Sequence, residues 1–351
     1  MDKKAKDILK YFIWIAVAVL LLYFSFRGVD WKNFGAALAQ CNWGYVILSM
    51  LIGIFVLFIR GLRWQMLLQP IDRSTQVATC FNAMNICMIV NMILPRVGEV
   101  VRAGYVTRHS AKGPDGKKLA SIDKVLGTVV VDRLWDFVSV VVVLVLLLSF
   151  MWGKFGEFFT DNIFSGLTSK VSLVWVVIAA AILLCLFIYL CWRLRDRGRV
   201  WGKVWGVISG VGEGLKSCLH MRHGWLFILY TVLIWICYWL MSATIMWAVQ
   251  GIEPSAMAPE MAAACEKTRA LGMIDALFLM FAGALSSLVP VPGGFGAFHV
   301  AVAGALSSVY GIPFEFGLIF ATLSHESQVI ADAVAGLGSY IWESFRKPAD
   351  A

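Results

Sequence analysis

Long apolar runs, separated by short charged or glycine-rich segments, make up most of the chain. A helix of about 20 residues crosses the hydrocarbon layer of a membrane. The runs that approach or exceed this length are residues 8–26, 43–68, 121–150, 171–192, 225–249 and 314–345. The pattern therefore predicts an all-α, polytopic transmembrane helical bundle with about six full crossings.

Two further apolar segments are interrupted by helix-breaking residues. Residues 76–94 run into Pro95, and residues 271–289 run into Pro290 and a glycine-rich turn that opens a short apolar segment. We expect each to form a re-entrant pair of broken helices within one integral membrane domain, residues 1–351.

Span, broken helix and span then recur in a first half of about residues 43–150 and a second half of about residues 223–345. The two halves enter from opposite sides of the membrane, as an inverted repeat. Paired broken helices in inverted repeats are typical of secondary transporters, which bind substrate near the bilayer midplane.

The composition excludes an ordinary soluble protein. Hydrophobic residues make up 60% of the chain and the mean hydropathy is +0.78, whereas soluble domains are nearer half apolar with about a quarter charged. The net charge is +8. The basic residues lie at the ends of apolar runs, so they indicate how the chain is oriented in the membrane rather than a site for nucleic acid. Arg60 and Arg63, for example, could snorkel to the interface. Cytoplasmic segments of membrane proteins are enriched in Lys and Arg. Placing both termini in the cytoplasm puts most of the Lys and Arg residues on that side, so we predict that both termini are cytoplasmic.

Motifs for catalysis or cofactor binding are missing from the sequence. It contains no P-loop, dinucleotide fingerprint or nucleophile elbow, and its eight cysteines have no ligand spacing with histidine. The segment H-E-S-Q-V at 325–329 lacks the second histidine of a zinc-protease helix. We therefore expect no catalytic residue, no cofactor and no metal.

Residues 91–109, N-M-I-L-P-R-V-G-E-V-V-R-A-G-Y-V-T-R-H, form the first candidate site. Ionisable groups at membrane depth cost about 3 kcal/mol each unless they are paired or face a wet cavity, so they mark sites. A helix that began after Pro95 would place Arg96, Glu99 and Arg102 on one stripe, where the arginines suit a lipid phosphate. The alternative is an amphipathic helix lying at the membrane interface. The candidate substrate-binding residues are Asn91, Pro95, Arg96, Gly98, Glu99 and Arg102.

Charged residues also lie inside the predicted span at 121–150, in the segment V-V-V-D-R-L-W-D. Asp132 and Asp136 are one helical turn apart, and Arg133 can pair with Asp136 at a spacing of three residues. We include these three residues among the candidates for substrate binding.

The turn after Pro290 and the histidines that follow it form the third candidate site. Its glycines leave backbone N–H groups unpaired at the start of a helix, where the helix dipole attracts an anionic group such as a lipid phosphate. The histidines and their acidic neighbour could carry protons. The alternatives are a tight structural turn and buried histidines bonded to helix backbone. The candidates are Pro292, Gly293, Gly294, Gly296, His299, His325 and Glu326.

Residues 200–222 contain too many glycines and charges to cross a membrane. Glycines recur there at every fourth residue, which lines them up as a groove for close backbone packing. We expect an amphipathic cytoplasmic segment that contacts a membrane partner or another copy of the chain, or else a loosely structured segment. The glycines are Gly202, Gly206, Gly210 and Gly214.

Three motifs, N-M-I-L-P-R-V-G-E-V-V-R, V-V-V-D-R-L-W-D and P-V-P-G-G-F-G, occur in this order. Together they resemble the lysylphosphatidylglycerol synthase transmembrane family, also called flippase-like domain proteins. The resemblance extends from about residue 8 to residue 345. It implies a bacterial cytoplasmic-membrane domain that moves aminoacylated phosphatidylglycerol or related lipids across the bilayer. The resemblance also implies functional roles for residues of the first two motifs. These residues are Asn91, Pro95, Arg96, Gly98, Glu99, Arg102, Asp132, Arg133 and Asp136.

The chain departs from the family pattern in two places. Many members have glutamate shortly after the C-terminal Pro-Gly-Gly turn, where this chain has His299. No soluble synthetase domain follows Phe345, so we expect that this chain alone does not make an aminoacyl lipid.

Three functions are compatible with the sequence. The first is a flippase or transporter of an anionic or zwitterionic phospholipid or lipid-linked precursor. The second is a membrane enzyme that transfers a head group, with Glu99, Asp132 and Asp136 as base or metal ligands. Mg²⁺ and Ca²⁺ favour sites rich in carboxylates, and the arginine between Asp132 and Asp136 makes this pair a poor metal site. The third is a non-catalytic partner that docks another membrane enzyme through the glycine groove.

Overall fold

The computed structural model describes residues 3–150, 189–198, 223–254 and 259–345, and the separate positions 182, 186, 187, 201, 202, 205 and 221. Within them the fold is all-helical, apart from an isolated bridge between Lys112 and Lys118. The helices are α1 (Lys3–Phe26), α2 (Trp31–Gln40), α3 (Trp43–Leu68), α4 (Val77–Ile93), α5 (Gly98–His109), α6 (Ile122–Phe150), α7 (Gly224–Gln250), α8 (Pro259–Arg269), α9 (Met273–Ser286), α10 (Ala297–Tyr310) and α11 (Phe314–Phe345).

Most predicted elements are present. The spans predicted at 8–26, 43–68, 121–150, 225–249 and 314–345 correspond to α1, α3, α6, α7 and α11. Helices α2 and α8 were not among the predicted elements. The span predicted at 171–192 and the segment at 200–222 lie largely outside the described residues.

Helices α3 and α7 are each long and apolar enough to cross a membrane. Two bent pairs raise the number of such spans among the described residues to as many as four, if each pair is one span. The bend is 89° between α1 and α2, and 112° between α8 and α9. The predicted six crossings are therefore not established by helix length and composition.

Exposed apolar stripes support a membrane location. On α3 the stripe contains Ile47, Leu51, Phe55 and Phe58, which are all exposed and about one turn apart. A similar stripe follows α11, at Ile330, Val334, Leu337 and Ile341. A soluble monomer rarely exposes contiguous apolar surface of this kind, whereas lipid covers it without cost.

The chain divides into two compact units, Met1–Val130 with Ile228–Ala351, and Val131–Phe227. In the first unit, the largest core cluster joins α2 with helices of the C-terminal part of the chain. Its fully buried members include Phe34, Ile245, Leu279, Phe316 and Ile319.

Arg60 and Arg63, near the end of α3, pack inside the protein, although the sequence suggested that they snorkel to the interface. Both are buried, with 6% and 0% exposure. Arg60 donates a hydrogen bond to the hydroxyl of Tyr238 at 3.0 Å, and Arg63 donates one to Oγ1 of Thr231 at 3.4 Å. Because a buried guanidinium needs hydrogen-bond partners, α7 supplies hydroxyls, and the two arginines join α3 to α7.

Polar contacts hold α11 between α3 and α4. The amide Nε2 of Gln328 donates to the backbone oxygen and the hydroxyl of Ser49, each at 3.2 Å. Asn85 of α4 donates to the hydroxyl of Ser339 at 2.8 Å. A side chain at Gly336 would collide with Ile89, so glycine allows the close approach of α11 to α4. This packing places the middle of α11 beside the two helix breaks.

Candidate functional site

The first helix break separates α4 from α5, as predicted from Pro95. The proline cannot continue the helical hydrogen bonds, and it holds the preceding Leu94 in an extended conformation, with φ −122° and ψ 98°. Arg96 follows with a φ of +64°, a region that non-glycine residues rarely adopt. The chain reverses there, and α5 packs back against α4. Left-handed residues of this kind cluster at functional sites.

Asn91 holds this break together. Its Oδ1 accepts a hydrogen bond from the backbone N–H of Gly98 at 2.8 Å, one of the first N–H groups of α5, which have no partner within the helix. Its Nδ2 donates to Oε2 of Glu99 at 3.4 Å. A Cβ at Gly98 would collide with the backbone oxygen of Cys87 and lie 2.7 Å from Oδ1 of Asn91. The structure therefore brings Asn91, Gly98 and Glu99 together.

The predicted stripe of Arg96, Glu99 and Arg102 is wrong in its geometry. Helix α5 begins only at Gly98, so Arg96 lies in the turn, where it is exposed. Arg102 is completely buried, with its guanidinium carbon 4.7 Å from the centre of the Trp64 ring. The two arginines cannot share one exposed face, because the chain reversal separates one of them from the helix.

The second break contains the predicted glycine-rich turn. Pro292–Gly294 forms a 3₁₀ turn, and φ is +56°, +79° and +77° at Gly293, Gly294 and Gly296. A Cβ at Gly296 would lie 2.6 Å from Cβ of Leu21 in α1. A Cβ at Gly293 would lie 3.5 Å from Cα of Met92 in α4. The turn is thus packed against α1 and the end of α4, and the two helix breaks meet.

His299, His325 and Glu326 form a cluster beside the second break. Nε2 of His299 lies 3.3 Å from Oε2 of Glu326, and Nδ1 of His325 lies 3.3 Å from Oε1 of the same carboxylate. Nε2 of His325 contacts the backbone oxygen of Gly293 at 2.9 Å. The exposed fraction is 1% for the side chain of His299, 9% for that of His325 and 36% for that of Glu326. Three predicted residues therefore share one site, although helix α11 carries only two of them.

Aromatic side chains that were not predicted as part of the site lie around this cluster. The ring of His325 lies 5.0 Å from that of Phe295 and 5.2 Å from that of Phe298, centre to centre. The ring of Phe26 lies 5.6 Å from that of His299. Apolar walls lower the local dielectric and strengthen polar interactions inside them. The sequence signal for these aromatic neighbours was the presence of Phe295 and Phe298 directly beside Gly296 and Ala297.

Asp132, Arg133 and Asp136 belong to the second unit. The predicted pair is confirmed, with NH1 of Arg133 3.7 Å from Oδ2 of Asp136. Both partners are partly exposed, whereas Asp132 is completely buried. The structure thus brings the second motif together locally, on α6.

The predicted glycine groove falls mostly outside the described residues. Gly202 lies in helical backbone, and a Cβ there would be 3.1 Å from the backbone oxygen of Arg195. Gly206, Gly210 and Gly214 are not among the described positions. The groove and its partner stay a prediction.

A cavity of about 360 Å³ lies at the opposite end of α5 from the break. Its lining includes the basic side chains of His109, Lys112 and Lys118. Helix α5 has 12 residues, which separates the cavity from the break by about 16 Å along the helix. The cavity is therefore not part of the site formed by the two breaks.

Buried Asp72 stabilises the wall of that cavity. It accepts hydrogen bonds from the backbone N–H of Ser74 at 2.9 Å, the hydroxyl of Ser110 at 2.6 Å and the backbone N–H of Ala111 at 3.0 Å. Burial by itself raises the pKa of a carboxyl, but these bonds outweigh it and hold the pKa of Asp72 below its ordinary value. The ionised carboxylate thus connects the loop after α3 to the segment after α5.

Comparison with known proteins gives one family. The family model described as the lysylphosphatidylglycerol synthase TM region matches residues 11–336. No curated protein and no solved structure matches the chain. The match includes both helix breaks, the His299 cluster and the acidic motif of α6. The chain therefore belongs to the family of the lysylphosphatidylglycerol synthase TM region and is a membrane protein.

Proposed function

We propose that the protein moves an anionic or zwitterionic phospholipid, aminoacylated in some cases, or a lipid-linked precursor across the cytoplasmic membrane of a bacterium. The observation that carries the proposal is the meeting of the two helix breaks, with Gly293 against the end of α4. Paired helix breaks near the bilayer midplane are where secondary transporters bind their substrates. Family membership supports a lipid as the substrate.

Arg96 binds the lipid phosphate in this proposal. It is exposed and lies in the turn of the first break, so its forked guanidinium is available to a ligand. Gly98 brings α5 close to α4 directly behind it, and Glu99 either orients the head group or meets a cationic one. Arg102 supports the fold of α5, since it is buried against Trp64.

The proposed architecture is an inverted repeat with six crossings and both termini in the cytoplasm. In the first half α3 precedes the break between α4 and α5; in the second half α7 precedes the break between α9 and α10. The matching order of long helix, broken helix and long helix supports the repeat. The exposed apolar stripes of α3 and α11 would face the bilayer in this arrangement.

Arg96→Gln is expected to lower lipid transport while the protein stays folded. Loss of one arginine–phosphate contact, about 1.5–3 kcal/mol, weakens lipid affinity about tenfold to a hundredfold. Transport of a fluorescent phospholipid is measured in proteoliposomes, together with thermal stability in detergent. The matched control is Arg108→Gln, which removes an exposed arginine from the other end of α5 and should leave transport unchanged.

Transport at the wild-type rate by Arg96→Gln would exclude Arg96 as the phosphate ligand. Mass spectrometry of the same lipids separates transport from chemistry. A head group altered by the wild-type protein would favour the alternative, a membrane-embedded head-group transferase.

The proposed orientation predicts that Lys112 faces the cytoplasm and Ala262 faces the outside. Single cysteines at these positions, in a background without native cysteines, are treated with a membrane-impermeant thiol reagent in intact cells. Ala262→Cys should be labelled, and Lys112→Cys should be labelled only after the cells are opened. Labelling of Lys112→Cys from outside would rule out the re-entrant arrangement of α4 and α5. Ser217 and Lys154, predicted to be cytoplasmic and external respectively, lie outside the described residues.

A further inference from the structure

The tautomer of His325 is determined by its neighbours. Its Nε2 lies 2.9 Å from the backbone oxygen of Gly293, which can only accept a hydrogen bond, so Nε2 carries the proton. In the neutral imidazole, Nδ1 then has a lone pair. That lone pair faces Oε1 of Glu326 at 3.3 Å. In this neutral form two acceptors face each other across the recorded contact, so the pair requires either a second ring proton on His325 or a bound cation.

The other side of the carboxylate shows the same deficit. Oε2 of Glu326 is a buried atom with no hydrogen-bond partner among the described residues, although Nε2 of His299 lies 3.3 Å away. Nδ1 of His299 is also buried and without a hydrogen-bond partner in that part of the chain. Buried polar atoms are nearly always hydrogen-bonded. At the carboxylate itself, the atom that lacks a hydrogen bond is therefore Oε2 of Glu326, which faces Nε2 of His299.

The two distances of 3.3 Å, each to a different oxygen of Glu326, leave room for a metal ion between the imidazoles and the carboxylate. Hydrogen bonds between charged partners are shorter, about 2.8 Å. Two ligands bound at about 2.0–2.1 Å to a tetrahedral Zn²⁺ are about 3.3 Å apart. One ligand atom from each of His299, His325 and Glu326 lies within 4.8 Å of the others, which is close enough for one ion to bind all three after small side-chain shifts.

We propose that His299, His325 and Glu326 bind a divalent transition-metal ion, with Zn²⁺ as the ion that best fits two imidazoles and one carboxylate. Three protein ligands leave a fourth position of the tetrahedron open to water or to a lipid oxygen. The bond from His325 to Gly293 is the outer contact that ligating histidines almost always make, through the ring nitrogen that does not bind the metal. The H-E-S-Q-V segment was discarded as a zinc motif because it has one histidine; packing of α10 against α11 supplies the second.

The bound ion would also stabilise the second helix break. His325 contacts the backbone of the 3₁₀ turn, and His299 lies in the first turn of the helix that follows it. An ion that joins them connects α10, α11 and the turn. This inference does not depend on lipid transport, and metal binding can be measured on protein whose transport substrate is unknown.

Zinc binding is tested on the full-length protein in detergent after treatment with a chelator. ZnCl₂ is titrated by calorimetry, and retained zinc is measured by mass spectrometry after desalting. We expect about one Zn²⁺ per wild-type chain and a higher melting temperature with zinc. His299→Gln and Glu326→Gln should each weaken affinity by about tenfold or more. His223→Gln, which removes an exposed histidine outside the cluster, should bind zinc like the wild type.

A spectroscopic variant covers the case in which the glutamine variants fail to fold. His299→Cys replaces the nitrogen ligand by sulfur, so Co²⁺ should produce a thiolate-to-cobalt absorption band that is absent from wild type and from His223→Cys. Absence of this band in folded His299→Cys would overturn the proposal. So would wild-type protein that retains no zinc, or equal zinc affinity in wild type and folded cluster variants; either result leaves a shared proton as the species in the cluster.

Discussion

Gly98→Val should strongly destabilise the protein and abolish transport, because no side chain fits at the start of α5. A Cβ there would collide with the backbone oxygen of Cys87 and press on Oδ1 of Asn91, which caps the N–H of residue 98. Overpacking costs about 1–3 kcal/mol, and an unsatisfied buried hydrogen-bonding group costs about as much again. The free energy of unfolding should therefore fall by about 3 kcal/mol or more.

The effect of Gly98→Val is measured as the melting temperature and the yield of monodisperse protein in detergent. Gly104→Ala is the matched control, since a Cβ at Gly104 of the same helix meets nothing within 4 Å. Alanine is favoured over glycine in a helix by about 0.5–1 kcal/mol, so this variant should be as stable as wild type or slightly more. A stable Gly98→Val protein would show that α5 does not approach α4 as closely as described.

Arg102→Gln is expected to destabilise the fold by a comparable amount. Arg102 is completely buried, stacked over Trp64 and in contact with Sδ of Met84 at 3.0 Å. Glutamine removes the charge and the contact with the ring, and its shorter side chain leaves a void. Loss of a desolvated cation–π contact costs about 2 kcal/mol, and the void adds to this cost.

Chemical unfolding in detergent, followed by tryptophan fluorescence, measures the loss. Arg108→Gln, an exposed arginine on the same helix, should stay within about 0.5 kcal/mol of wild type. If Arg102→Gln instead keeps wild-type stability but loses transport, Arg102 contacts the substrate, as the sequence stripe suggested. The stability of Arg96→Gln is measured in the same way. Because Arg96 is exposed, this variant should lose transport but keep the stability of the wild type.

Local sequence signals were sufficient to predict most of the long helices and both helix breaks. Apolar runs of sufficient length predicted α1, α3, α6, α7 and α11, since burial in lipid or protein requires continuous apolar surface and internal backbone hydrogen bonds. Pro95 and the glycines after Pro290 predicted the two breaks, because their restricted or unusual backbone conformations act within a few residues. Helix α8 was missed because its composition is polar, and a short polar helix has no apolar run to reveal it.

Local signals also suggested some neighbours correctly. Arg133 and Asp136 pair as their spacing of three residues predicted, because both lie on one continuous helix. The stripe of Arg96, Glu99 and Arg102 used the same spacing and was wrong. Its first member lies before the helix begins, in a left-handed conformation that the spacing rule cannot foresee.

The sequence by itself therefore determined the membrane character, the order of most helices, the two breaks and the family. Only the tertiary structure decided which polar groups face each other. It buried Arg60, Arg63 and Arg102 among partners on other helices, and it placed His299 against a carboxylate 27 residues away in the chain. The reason is physical: backbone conformation follows from neighbouring residues, whereas the partner of a buried charge depends on how separate helices pack, which no short stretch of sequence specifies.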